Sequence, residues 1–267
     1  MPELPEVEIV RRNLERWTVG RVVVAVDAPD LGRTEGDPTA IVGRRVLSWR
    51  RRGKLLLGAL DGGIGVVSHL GMTGKWVREP NERRFVRARW TLDDGGTVGL
   101  VDARRLGRTF VFSGVPDGHP AVAKLGVDPV HDGLDGETLR ARLGRGRAPL
   151  KQRLLEQHRV AGLGNICVVE ACFRAAVHPH TPLDAVPADR WGPLAAGALD
   201  HIAATLLAED GDEVAYVNEG GANTFLAYGR EGEPCPRCAT PLRREVLAGR
   251  PSFFCPACQP PPSRSAP

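Results

Sequence analysis

Cys235-Pro-Arg-Cys238 and Cys255-Pro-Ala-Cys258 are two C-x-x-C pairs with sixteen residues between them. Each pair can form a knuckle that offers two thiolates to one ion. The interval suits a hairpin carrying both knuckles, so the four sulfurs can close a tetrahedral shell around one zinc ion. Four protein sulfurs leave no open coordination position, and the metal is expected to be structural, not catalytic. A ribbon of this kind is compatible with a nucleic-acid contact, a rigid cap or a protein-docking module. Cys167 and Cys172 stand apart from these pairs, on a helical pattern, and read as core residues. No apolar run is long enough to span a bilayer. The opening Met-Pro-Glu-Leu-Pro-Glu is acidic, lacks an apolar segment and does not read as a signal peptide. A cytosolic setting is expected, where thiols stay reduced and paired cysteines favour metal over disulfides.

The elements that must carry these groups follow from periodicity. Val7, Val10, Leu14 and Trp17 fall on one stripe, predicting a helix over 5–17 with Pro5 near its start. From about 21 to 113 the pattern is that of strands. Leu55-Leu56-Leu57 and Ile64–Val67 flank the turn Asp61-Gly62-Gly63, a hairpin signal. Val86, Ala88, Trp90 and Leu92 alternate with Arg87, Arg89 and Thr91, so one face is expected to be buried and the other basic. Asp93-Asp94-Gly95-Gly96 then turns the chain into a returning strand over 98–101. A β-sandwich or flattened barrel of about eight strands is expected. With aromatic residues at 5%, its core is expected to lean on Val, Leu, Ala and Ile. Residues 115–135, rich in Gly, Pro and Asp, read as a linker. Helices are predicted over 137–144, 149–157, 165–175 (with Asn165 as N-cap) and 187–208. The tail 260–267 reads as disordered. The expected class is α+β and multi-domain: a sandwich domain over 1–114, a helical domain over 136–227 and a ribbon over 228–259.

The net charge of +4 is too mild to name a partner by itself. Its distribution says more. Arginine and lysine gather at 44–45, 50–54, 83–89, 104–108 and 243–244, whereas acidic residues concentrate at 209–213. Any one such cluster is equally readable as a solvated face.

Several segments taken together resemble the formamidopyrimidine-DNA glycosylase / endonuclease VIII family, with wording closer to the formamidopyrimidine branch. They are Met1-Pro2-Glu3-Leu4-Pro5-Glu6-Val7-Glu8, Arg52-Gly-Lys54-Leu-Leu, His69-Leu-Gly-Met72-Thr-Gly, Asp102-Ala-Arg104-Arg105-Leu106-Gly107, Gly162-Leu-Gly164-Asn165-Ile and Tyr228-Gly-Arg-Glu-Gly-Glu-Pro-Cys235, followed by Arg250 before Cys255. They run in the family's order over nearly the whole chain. The resemblance implies an N-terminal β-sandwich with flanking helices, a helix-two-turns-helix bundle and a zinc ribbon. It also implies a monomer acting on double-stranded DNA that carries damaged bases or abasic sites, in the bacterial cytoplasm and in use on the nucleoid, with no redox or nucleotide cofactor.

In such a protein Met1 is removed and Pro2 becomes the amino terminus. An α-amino group has a pKa of roughly 7.7–8.0, so a neutral fraction exists near pH 7. That amine can attack the deoxyribose C1′ as a Schiff-base lysine attacks a carbonyl. The resulting iminium acidifies the adjacent sugar carbon and allows β- and then δ-elimination. Glu3 is the implied general acid/base. For Glu6 two roles stand: bonding the helix start or tuning Pro2, and a carboxylate favoured by the helix dipole. Lys54, Asn165 and Arg250 are implied to grip phosphates, Lys54 alternatively to protonate the departing base. His69 is either another phosphate donor or a core histidine. Met72, Arg104 and Leu106 take the places of residues that fill the gap left by an extruded nucleotide.

Three departures bear on specificity. Leu106 stands where the family has Phe, which keeps an apolar wedge but loses aromatic stacking. The stretch 218–227 is shorter than the family's mobile lid, which leaves the base pocket more open and makes ring-opened purines, oxidised pyrimidines, hydantoins or a bulky adduct comparable to 8-oxoguanine as substrates. Cys167 replaces a common Tyr. Two rival classes are weighed against the enzyme. One is a protein of the same fold that binds damaged DNA without chemistry or with altered specificity. The other is a zinc-ribbon scaffold within a larger nucleoprotein. Intact Pro2 and Glu3 argue against both.

Overall fold

The computed structural model describes residues 2–28, 34–80, 84–208, 213 and 225–262. The chain divides into two compact units, Met1–Lys124 with Glu209–Ala222, and Leu125–Ala208 with Asn223–Pro267.

The first unit opens with α1 (Leu4–Thr18) and continues through β1 (Val23–Asp27), β2 (Thr34–Glu35), β3 (Val46–Arg52), β4 (Leu55–Leu60), β5 (Ile64–His69), β6 (Lys75–Arg78), β7 (Val86–Leu92), β8 (Thr97–Val101) and β9 (Arg108–Ser113). Val7, Val10 and Leu14 of α1 are fully buried, each worth about 1.5–3 kcal/mol. The strands form a four-stranded sheet in the order β1-β7-β8-β6 and a five-stranded sheet in the order β2-β9-β5-β4-β3. These are two packed layers, a sandwich of nine strands among the described residues where about eight were expected. The turn Asp61–Gly63 does join antiparallel β4 and β5, with Leu60 opposite Ile64. On β7, Ala88, Trp90 and Leu92 are buried while Arg87, Arg89 and Thr91 are half-buried, as the alternation requires; Val86, at the strand's start, is half-buried too.

As expected, aliphatic residues dominate the sandwich core, and tryptophans add a bridge between its two layers. Trp49 of β3 stacks on Trp90 of β7 with centroids 6.1 Å apart, and Trp76 of β6 meets Trp90 edge-on at 4.9 Å. Their indole N–H groups stay bonded, Trp49 to Thr18 Oγ1 at 2.9 Å and Trp76 to Ser68 Oγ at 3.2 Å, as buried indoles require. Gly58 makes room for them: a Cβ there would lie 2.8 Å from the Trp49 ring.

After α2 (Pro120–Ala123), the second unit contains α3 (Gly136–Leu143), α4 (Leu150–Leu154), α5 (Asn165–Arg174), α6 (Trp191–Ala208) and the hairpin of β10 (Arg243–Leu247) with β11 (Arg250–Phe254). Most predicted helix ends shift by one residue, and three differences from the sequence reading are larger or concern a cap. The second helix ends at Leu154, not 157, because the Gln157 side chain turns inward to hold the following turns. It donates to the carbonyls of Leu155 (3.0 Å) and Leu163 (2.8 Å) and accepts from the N–H of Gly162 (3.0 Å). The N-cap of α5 is Gly164; Asn165 is its first helical residue, with its side chain drawn to Pro251. The last helix begins at Trp191, preceded by a 3-10 turn over Ala188–Arg190. Cys167 and Cys172 are buried on α5. The acidic run apart from Glu213, residues 218–224 of the shortened stretch and residues 263–267 of the tail lie outside the described residues.

Candidate functional site

In the first unit the amino terminus is built into the core. Pro2 is buried and leads into Glu3, the N-cap of α1. Glu6 Oε2 accepts the N–H of Glu3 at 2.8 Å, closing a capping box with the Glu3 carboxylate. Both carboxylates are nearly inaccessible, Glu3 at 3% and Glu6 at 8%. Glu6 therefore bonds the helix start and fixes the backbone beside Pro2, and it is also the first-turn carboxylate that the helix dipole favours.

Lys54 sits in the tight turn between β3 and β4, where Gly53 adopts φ +57°. Arg51 secures that turn, donating to the Gly53 carbonyl at 3.0 Å while its Nε reaches Glu8 of α1 at 3.4 Å. The helix capped by Glu3 and the strand that leads into the Lys54 turn thus share one ion pair. His69 ends β5, in register with Leu55 on one side and Arg108 on the other. Burial, then the positive charges of Lys54 and Arg108, holds its pKa below the ordinary histidine value. The ring is neutral near pH 7. Its Nδ1 accepts the N–H of Gly71 at 3.1 Å, which leaves the proton on Nε2.

Met72 is exposed at the tip of the following turn. That turn packs on the 102–107 loop: a Cβ on Gly71 would lie 2.5 Å from the Leu106 carbonyl carbon. One carboxylate organises both segments. Asp102, 1% exposed, accepts Thr73 Oγ1 at 2.6 Å, the N–H of Arg104 at 3.2 Å and the N–H of Gly107 at 2.7 Å. Met72, Arg104 and Leu106 therefore belong to one braced edge.

In the second unit the ribbon is fastened to the helices. Asn165 Nδ2 donates to the Pro251 carbonyl at 3.1 Å, which brings Asn165 beside the exposed Arg250. Buried Lys151 donates to the same carbonyl at 2.6 Å and to Ser252 Oγ at 2.8 Å. Glu170, fully buried on α5, accepts the backbone N–H groups of Leu226 (3.0 Å), Ala227 (2.9 Å) and Tyr228 (2.9 Å). Val169 and Phe173 of the same helix pack with Leu242, Phe253 and Cys255. Glu170, Lys151 and Asp102 were not singled out from the sequence. The usable signals were a lone carboxylate in the apolar run Val168-Val169-Glu170-Ala171-Cys172-Phe173, a lysine in an arginine-rich chain and the acid that opens the 102–107 motif.

The Sγ atoms of Cys235, Cys238, Cys255 and Cys258 lie within 4.8 Å of one another, with Cys238 3.5 Å from Cys255 and 3.4 Å from Cys258. A tetrahedral ion with sulfurs at 2.3 Å needs edges of about 3.8 Å, close to what is present. Backbone N–H groups of Arg237 and Cys258 point at Cys235 and Cys255 sulfurs, each at 3.4 Å, as in a metal knuckle. Bonds to Thr240 bring Cys238 to about 6, whereas desolvation, then the neighbouring sulfurs, pushes Cys258 to about 12. These residues hold one structural zinc ion.

A sandwich unit, a helix-two-turns-helix core and a closed four-cysteine ribbon together define a zinc-ribbon protein of the helix-two-turns-helix class. Residues 1–109 match the formamidopyrimidine-DNA glycosylase N-terminal domain, 125–209 the H2TH domain of the same enzymes, and 232–261 a zinc finger found in FPG and IleRS. The chain is 39% identical to formamidopyrimidine-DNA glycosylase of Nocardioides sp., over 99% of this chain and 96% of that one, and 38% identical to that of Gluconobacter oxydans, over 97% and 100%. Among solved structures it resembles the MutM (Fpg) protein of Thermus thermophilus (TM-score 0.85, 35% identity, 97% of this chain and 98% of that one). It also resembles Lactococcus lactis Fpg in complex with DNA containing an abasic site (TM-score 0.87, 28% identity, 97% and 100%). The chain belongs to the formamidopyrimidine-DNA glycosylase family.

Proposed function

We infer that this protein is a base-excision-repair DNA glycosylase with AP lyase activity, and that its mature amino terminus, Pro2, is the nucleophile. The observation that carries this is the Pro2-Glu3 pair of a family member, seated on a capped helix whose first turn is fixed by Glu6. The neutral imino nitrogen of Pro2 attacks C1′ of the extruded nucleotide, and the damaged base departs with the glycosidic electrons; Pro2 then loses its N–H proton and the C1′–O4′ bond opens, with Glu3 protonating O4′, which leaves a C1′ iminium. Glu3 transfers protons at the sugar. Loss of the C2′ proton then expels the 3′ phosphate, and a further elimination expels the 5′ phosphate.

Lys54 and neutral His69, through its Nε2–H, serve as donors to phosphate, and Asn165 and Arg250 do the same from the second unit. Met72, Arg104 and Leu106 fill the gap in the stack. The substrates are duplexes with ring-opened or oxidised bases and abasic sites. Leu106 and the short 218–227 stretch favour a broader lesion range than 8-oxoguanine alone. Bacterial cytoplasm is the expected compartment; among the described residues no helix is long and apolar enough to cross a membrane.

Borohydride trapping tests the reading. The wild type should give a covalent band with an abasic-site duplex and Pro2→Gly should give none; an equal band from Pro2→Gly removes Pro2 from the chemistry. No band from the wild type favours the non-catalytic binder.

A further inference from the structure

Phe85 closes the turn before β7 and is 45% exposed. Its φ of +68° lies in the left-handed region, which bulky side chains rarely adopt. The turn is fastened to Asp102: the Phe85 carbonyl accepts the Asp102 N–H at 3.1 Å, and Arg87 Nε donates to the Asp102 carbonyl at 2.8 Å. Asp102 is also the residue whose side chain arranges Thr73, Arg104 and Gly107. The guanidinium carbons of Arg84 and Arg87 stand 5.1 and 5.8 Å from the Phe85 ring centre.

Packing does not explain this ring. It is outside the core, and Gly or Asn would accept the same backbone with less strain. Strained backbone persists where function uses it. A flat apolar face bracketed by two guanidinium groups matches a nucleic-acid strand, with a base stacking on the ring and phosphates meeting the arginines.

We propose that Phe85 is a specificity-determining DNA contact that stacks on a base beside the lesion and supplies the aromatic surface Leu106 lacks. The inference rests on the glycosylase reading above and on the 102–107 edge facing DNA in that reading. Three full-length proteins test it: wild type, Phe85→Asn, and Phe85→Asn with Leu106→Phe. The probe is a duplex with a tetrahydrofuran abasic site and 2-aminopurine in the opposite strand. Phe85→Asn should bind about tenfold more weakly and change 2-aminopurine emission less, with Tm equal to or above wild type because the strain is relieved. Leu106→Phe should restore both signals. A Kd within twofold of wild type with the same emission change overturns the proposal, and so does a large loss of Tm, which would make Phe85 structural. Failure of the wild type itself to bind the abasic duplex overturns the glycosylase reading, and the proposal with it.

Discussion

Glu170→Ala is the most demanding perturbation of the second unit. The carboxylate is fully buried and accepts three consecutive backbone N–H groups, those of Ala227 and Tyr228 at Oε1 and that of Leu226 at Oε2. Charge-assisted bonds contribute about 1.5–3 kcal/mol each, and a buried donor left without an acceptor costs about 1–3 kcal/mol. Removing the buried charge recovers part of its desolvation cost, so the net loss is placed at about 3–5 kcal/mol, the range for breaking one side of a buried charged contact. At roughly 2–4 °C per kcal/mol this lowers Tm by about 6–20 °C. Glu170→Gln should fall between, because an amide keeps one oxygen for two of the donors but sets an N–H against that of Leu226. The assay pairs thermal melting with hydrogen exchange at 226–228. The expected order is Glu above Gln above Ala, with exchange at 226–228 accelerated in the same order. If the alanine variant melts within about 2 °C of wild type with those amides still protected, Glu170 does not hold the entrance to the ribbon.

Asp102→Ala removes the acceptor for Thr73, Arg104 and Gly107. The Arg104 and Gly107 amides should exchange faster and affinity for abasic-site duplex should fall by more than about tenfold; unchanged protection would refute the brace. Cys255→Ser should lose stoichiometric zinc by mass spectrometry and unfold the ribbon, since structural zinc contributes on the order of 10 kcal/mol of apparent binding energy. Retention of one zinc per chain would show that the shell is not four sulfurs. His201 is 2% exposed, and burial, then Arg174, lowers its pKa to about 4. The unfolded chain, titrating near 6.5, therefore binds the proton first. The stabilisation is present above pH 6.5 and is lost as pH falls toward 4, on the order of 3 kcal/mol in full. His201→Phe should flatten the urea midpoint between pH 6.5 and 5; an unchanged slope assigns the acid sensitivity elsewhere.

What was legible in the sequence is what local spacing encodes. The cysteine knuckles, the Asp61–Gly63 hairpin, the alternation on β7 and the first helix each depend on residues a few positions apart. What was not legible depends on partners far along the chain. Asn165 has the side chain of an N-cap, yet its amide is drawn to Pro251, 86 residues away, and Gly164 takes the cap. Helix α4 stops early because Gln157 serves the turns that follow. The tryptophans that join the two sheets come from three strands whose pairing no local pattern states.

Three side chains, Asp102, Gln157 and Glu170, point to a common device. Each lies beside backbone that has left the regular ladders, and each offers oxygens to N–H groups that would otherwise be unsatisfied. A helix or strand satisfies its own backbone and can be read from its apolar period. An irregular edge cannot, so its shape must be written by a polar side chain, fully buried for Asp102 and Glu170 and half-buried for Gln157. A carboxylate suits this work because its two oxygens can accept several donors at once, as Glu170 does with three. The edges braced in this way are the Met72 and Leu106 turns, the two turns before Asn165 and the entry to the ribbon; the first carries, and the second leads into, residues to which DNA contact is assigned above. A buried acid or amide beside a loop is therefore the sequence feature to seek when the ligand-facing edge of such a fold must be located, since the residues that touch DNA carry no periodic signature of their own.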